Sequence, residues 1–105
     1  MDDVITLITK TMTTDEVGFP IAEDELYETF CQVNSITRAE FFNAGKAGMT
    51  PEFMFVINSA EYSGQTECEY DGKRYTIYRV FHRQSDDMME LYAEYRSGVT
   101  DVNND

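Results

Sequence analysis

The stretch Glu69-Tyr70-Asp71-Gly72-Lys73-Arg74-Tyr75 constrains the fold more than any other, because Asp-Gly between two strand-like runs is the strongest short-range signal for a β-hairpin. A two-residue turn at Asp71-Gly72 sets the register: Tyr70 faces Lys73, Glu69 faces Arg74, Cys68 faces Tyr75 and Thr66 faces Ile77. Cys68, Tyr70, Tyr75 and Ile77 then share an apolar face, while Glu67, Glu69, Arg74 and Thr76 share a polar one. In this register Glu69 is placed to neutralise Arg74. A ribbon with one apolar and one charged face belongs to an antiparallel β domain, where function sits in loops and edges.

At 105 residues the chain is one domain, 1–105. A domain of this size buries roughly 65% of its unfolded surface and needs no disulfide to fold. Hydrophobic residues make up 42% of the sequence, which excludes wholesale disorder. Cys31 and Cys68 read as small buried hydrophobes, and no apolar run follows a basic N-terminal region, so a reducing compartment is expected. No stretch approaches the roughly 20 apolar residues of a membrane helix, and no membrane partner is expected. The net charge is −12, from 20 acidic and 8 basic residues, and no basic cluster is present to hold phosphates. Acidity of this kind means solubility, attraction to a basic protein, or a surface that DNA passes without adhering.

Along the chain, residues 4–12 are rich in β-branched side chains and read as a first strand. Residues 13–25, with Gly18, Pro20, Asp15, Glu16, Glu23, Asp24 and Glu25, keep neither helical nor strand period and read as a long, flexible acidic loop. A second strand is expected over 26–33, a third over 53–57 with both faces apolar, the hairpin arms over 66–70 and 73–81, and a last strand over 89–95. In that last strand Met89, Leu91, Ala93 and Tyr95 face inward and Gly98 ends it. The tail 99–105 is polar and expected to fray. Six short strands and one short helix predict a mainly β fold, a small antiparallel barrel or sandwich.

The helix begins at Thr37. Thr37 and Glu40 fit a capping box, with Thr37 accepting from the Glu40 amide and the Glu40 side chain returning to the Thr37 amide, and Ile36 and Phe41 fit a hydrophobic staple. The helix should cover 38–44 and end near Gly45 and Gly48, with Phe41, Phe42 and Ala44 packing it. Gly45, Lys46, Ala47 and Gly48 then read as a pliable exit, which makes 34–52 the segment best suited to move. The gating candidates are Thr37, Glu40, Phe41, Phe42, Gly45, Lys46, Gly48 and Met49. The docking candidates in the acidic loop are Asp15, Glu16, Phe19, Pro20 and Ile21, with Phe19 and Ile21 as its large apolar anchors.

Chemistry-bearing patterns are scarce. His82 is the single histidine, and alternation places it on the face opposite Cys68, away from a Cys/His dyad. Asp86, Asp87 and Glu90 lack the spacing of a calcium loop and read as a solvated turn. No glycine-rich phosphate loop, metal-ligand spacing or nucleophile elbow occurs. No enzyme activity, metal or cofactor is expected.

The order of elements, and the pieces Glu40-Phe41-Phe42-Asn43-Ala44, Glu61-Tyr62-x-Gly64, Tyr70-Asp71-Gly72-Lys73-x-Tyr75-x-Ile77, Glu90-Leu91 and Gly98, resemble the head-closure proteins of long-tailed bacteriophages and prophages, also called head-tail joining or stopper proteins. The resemblance runs through nearly the whole chain. It departs in the charged stretch 79–87 and in the acidity of the first loop. The resemblance implies a structural virion protein at the head-tail interface, present in the host cytoplasm before assembly. It implies a ring of twelve copies beneath the portal and its adaptor that closes the DNA exit channel and offers a docking surface to tail proteins. It also implies that 34–52 corresponds to the channel-closing segment. DNA would pass through without sequence-specific binding, and an acidic bore suits that passage. A chain without a large uninterrupted apolar surface pattern is expected to be monomeric when free. Two other readings are a tail-completion ring protein of the same assembly and an acidic DNA mimic that inhibits a DNA-handling protein.

Overall fold

A computed structural model describes residues 3–95. Six antiparallel strands close into a barrel in the order β1-β2-β3-β6-β5-β4. They are β1 (Asp3–Thr14), β2 (Pro20–Ser35), β3 (Pro51–Asn58), β4 (Glu67–Tyr70), β5 (Lys73–Arg83) and β6 (Met88–Tyr95). The helix α1 (Arg38–Lys46) joins β2 to β3, and a 3-10 turn, Ser59–Glu61, follows β3. Closure pairs β1 with β4 and removes the free edges that an open sheet would expose. The expected strand end at Gly98 and the tail 99–105 lie outside the described residues.

The hairpin that anchors the sequence argument forms as expected. Tyr70 pairs with Lys73, Glu69 with Arg74 and Cys68 with Tyr75. Asp71 and Gly72 have φ of 53° and 78°, the left-handed pair that a two-residue turn of this hand requires. Cys68, Tyr75 and Ile77 enter the core with Ile5, Leu7, Cys31, Phe55, Ile57, Leu91 and Ala93. Aromatic rings fill one end, where Phe53, Phe55, Tyr70 and Tyr75 meet with centroids 5.2 to 6.0 Å apart. Val56, on the other face of β3, is also buried, as the doubly apolar run implied. Burial pushes the Cys68 thiol up to about 12. On the polar face Arg74 does not take Glu69: it binds Glu67 at 2.6 Å and lies 3.6 Å from Asp24, so its partners are a diagonal neighbour and a residue of β2.

Of residues 13–25 only 15–19 form a turn, and the rest belong to strands. β1 and β2 stay paired without interruption from Asp3 with Cys31 out to Thr14 with Pro20. β1 meets β4 only over Thr6 to Ile8, and β2 meets β3 only over Gln32 to Ser35. The hairpin beyond Ile8 and Leu26 is therefore a two-stranded arm joined to the barrel at its base. Six residues per strand at about 3.3 Å each give it a reach of roughly 20 Å, in keeping with a longest molecular extent of 49 Å. On the β2 side of this arm every residue meets solvent, so no burial difference there imposes the alternation by which strands are recognised.

Two further expectations are corrected by local irregularities. Between Ile77 and Arg79 the β5–β6 register shifts, and beyond that bulge His82 pairs with Met89 while Val80 pairs with Leu91. The extra residue inverts the alternation, so His82 falls on the same face as the core strand residues, where alternation from Cys68 had put it opposite. Tyr95 is 43% exposed despite its inward expectation: it stacks on Tyr75 at the barrel end, and Lys73 Nζ sits 5.6 Å from its ring.

Candidate interaction surface

The helix start is as local chemistry dictates, with Thr37 Oγ1 accepting from the Glu40 amide at 3.1 Å. The second half of the expected capping box is absent. Glu40 turns away from Thr37 and accepts from the Tyr78 hydroxyl at 2.7 Å and the Arg79 guanidinium at 2.6 Å. Burial alone would raise the Glu40 pKa, but the bonds from Arg79 and Tyr78 outweigh it and hold the carboxyl below its ordinary range. Arg79 in turn lies 4.0 Å over the Tyr92 ring, and Tyr92 donates to Glu90 at 2.6 Å. This chain of contacts ties α1 to the outer face of β5 and β6. Sequence reasoning missed Tyr78, Arg79 and Tyr92; the charged stretch beginning at Arg79 was the available signal.

The helix exit is also built firmly. The Gly48 amide donates to Gly45 O and the Met49 amide to Ala44 O, the paired bonds of a Schellman motif, and Gly48 takes φ of 85° at the position that favours glycine. Gly45, Lys46, Ala47 and Gly48 thus form a closed C-cap, which any movement of this exit has to open. Of the residues expected to pack the helix, Ala44 is buried, whereas Phe41 and Phe42 are 50% and 61% exposed. They stack on each other edge to face, 6.5 Å apart. Glu40, Ala44 and Ala47 occupy the inner arc of the helix, which leaves Arg38, Phe41, Phe42, Gly45 and Lys46 on the outer arc.

The docking candidates gather at the arm tip. Asp15 Oδ1 accepts from the amides of Val17 at 3.0 Å and Phe19 at 2.9 Å, and the Asp15 amide donates to Phe19 O. This self-bonded turn presents Val17 and Phe19, 73% and 66% exposed, with Glu16, Pro20 and Ile21 alongside. Met12 on β1 and Leu26 and Phe30 on β2 extend the exposed apolar surface; the sequence reading missed them because they sit in regular strand. No Lys or Arg occurs between Lys10 and Arg38, so the outer part of the arm and its tip carry acidic charge only, and Lys10 near the base pairs with Asp24 at 3.4 Å. The tip and α1 lie at opposite ends of β2, a strand of 16 residues.

Elsewhere, Asp87 Oδ1 receives both Ser59 Oγ at 2.8 Å and His82 Nε2 at 2.7 Å. Those two contacts hold the Asp87 carboxyl below its ordinary range. The carboxylate stands between the serine and the histidine, so the imidazole is not placed to take the serine proton. Asp86 and Glu90 both contact Arg83. Among the described residues no group of three or more His, Cys, Asp or Glu side chains converges on a metal position. A shallow groove of about 660 Å³ lies between the arm base and the segment after β3, lined by Thr9, Glu25, Tyr27, Glu61 and Gln65, with the Tyr27 hydroxyl bonded to Glu61. A second, of about 500 Å³, separates α1 from β5.

A closed six-stranded barrel with a projecting first hairpin and one helix has a solved counterpart. The chain is similar in fold to protein SF1141 from Shigella flexneri 2a. That solution structure superposes with a TM-score of 0.70 over 89% of this chain and 90% of that one, at 16% sequence identity, which shows a shared fold alone. No family model matches the sequence, and no curated protein matches it.

Proposed function

We propose that this protein is a structural head-tail connector component of the head-closure kind, a ring subunit that closes the DNA exit channel after packaging and offers a docking surface to the tail. The observation that carries the reading is the arm: a hairpin whose strands pair only with each other beyond the barrel, with a preformed turn and an exposed apolar tip. A surface of this kind contributes nothing to its own core and is suited to contact with a neighbouring chain. A ring built from one chain needs two different, complementary surfaces on each copy, and the arm and α1 supply two. The acidity of the chain suits a bore through which DNA slides. A tail-completion ring would draw on the same features. The DNA-mimic reading is weaker, because Glu40, Glu67, Asp86 and Glu90 are each paired to arginine, which withdraws their charge from a phosphate-like surface.

Channel closure by 34–52 remains part of this proposal, with an added requirement. Remodelling the segment has to break the Schellman cap and release Glu40 from Tyr78 and Arg79, so contacts made only in the assembled ring must drive it. Electron microscopy of the protein mixed with the portal-adaptor complex of its own phage or prophage tests the function. A ring of added density beneath the adaptor is the expected result. An undecorated connector at saturating protein would overturn it.

A further inference from the structure

The outer arc of α1 has the composition of a receptor site. Arg38, Phe42 and Lys46 are spaced four residues apart and so share one helical face, with Phe41 beside them. Both cations are exposed, and among the described residues neither makes an ion pair, unlike Arg74, Arg79 and Arg83. An apolar pair flanked by two unpaired positive charges is thus displayed to solvent. The arm tip has the converse make-up: Val17, Phe19 and Ile21 are exposed, with Glu16 and Glu23 close by and no Lys or Arg nearer the tip than Lys10, which pairs with Asp24.

We infer that the arm tip of one copy docks on the outer arc of α1 of a second copy, with Phe19 and Val17 against Phe41 and Phe42 and the arm's glutamates facing Arg38 and Lys46. The two surfaces lie at opposite ends of β2, so a tip does not reach the helix of its own chain. The contact is heterologous, each copy giving its arm in one direction and its helix in the other, and such contacts propagate to a ring when the rotation closes. Apolar anchors carry the affinity, while the flanking charges steer and orient the encounter. The area is small, so the contact is weak between free copies and strengthens when a connector holds the copies side by side. This inference rests on the ring reading above and names the surfaces that make the ring.

The test replaces Phe19 of the full-length chain with a benzophenone amino acid and irradiates the protein alone at millimolar concentration and again in the presence of the connector. The expected crosslink joins residue 19 of one copy to a peptide spanning residues 38–46 of another. Glu16→Lys with Glu23→Lys should lower its yield about tenfold if each charge pair contributes ordinary surface strength. Mixing that chain with an Arg38→Glu/Lys46→Glu chain should restore the crosslink between unlike chains and not between like ones. Far-UV circular dichroism of both variants checks that the barrel and helix persist. A crosslink mapping elsewhere on the second copy, or none in either condition, overturns the inference. If the copy-to-copy crosslink forms but the protein never decorates the connector, the docking mode stands and the head-tail reading falls.

Discussion

Replacing Glu40 by alanine should cost more than any other single change on the outside of the barrel. The carboxylate is 12% exposed and receives two donors, the Tyr78 hydroxyl at 2.7 Å and the Arg79 guanidinium at 2.6 Å. Hydrogen bonds to a charged group contribute about 1.5–3 kcal/mol each where both partners are shielded. Arg79 is 46% exposed and rehydrates when its partner leaves, so its share falls to about 1 kcal/mol or less. The Thr37 cap bonds the Glu40 main chain and survives the substitution. The sum is about 2–3 kcal/mol, which for a domain near 100 residues lowers the melting temperature by roughly 10 °C or more. Glu40→Gln should lose about half as much, since it still accepts from Tyr78. Scanning calorimetry on both variants, on Arg79→Ala and on the Glu40→Ala/Arg79→Ala double variant completes a double-mutant cycle. The sign with pH follows from the depressed Glu40 value: its stabilisation is fully present above the ordinary carboxylate range and is lost as pH falls through the folded value. Glu40→Gln should flatten that acid limb. A shift of less than about 2 °C for Glu40→Ala, with strictly additive effects of Glu40→Ala and Arg79→Ala, would refute the tether.

Three further outcomes are expected. Deleting the arm beyond Thr11 and Glu23 and closing it with a short turn should leave the melting temperature nearly unchanged, because the removed side chains are exposed, while abolishing connector decoration; a collapse in melting temperature would make the arm part of the folding unit. Gly48→Ala should destabilise by about 1 kcal/mol through backbone strain alone, since φ is 85° and a Cβ there meets nothing within 4 Å; chemical denaturation measures it, and an unchanged midpoint would contradict the cap. Cys68 should resist an aromatic disulfide reagent at pH 8 in the native state, its thiol being fully buried and raised to about 12, and react at once in denaturant; fast native reaction would mean that the barrel opens there.

The parts of this protein readable from residue order are those whose causes are local. Asp71-Gly72 needs two left-handed residues in a row and so announces its own turn and register, from which Cys68, Tyr75 and Ile77 follow into the core. Thr37 announces the helix start because its hydroxyl reaches an amide three residues away. What residue order did not reveal is what distant chain does to these elements. Residues 20–25 of the arm show no alternation because solvent reaches all of them, and backbone pairing with β1 holds them as strand without a pattern of burial on β2. Glu40 leaves its expected capping partner because closure of the barrel brings Tyr78 and Arg79, 38 and 39 residues on, against the helix. His82 changes face because one extra residue near Tyr78 inverts the alternation after it, and only the pairing partner on β6 reveals the bulge. Phe41 and Phe42 look like core by composition. They are surface because the inner arc of a nine-residue helix is already taken by Glu40, Ala44 and Ala47, and a helix that short has no second face to bury.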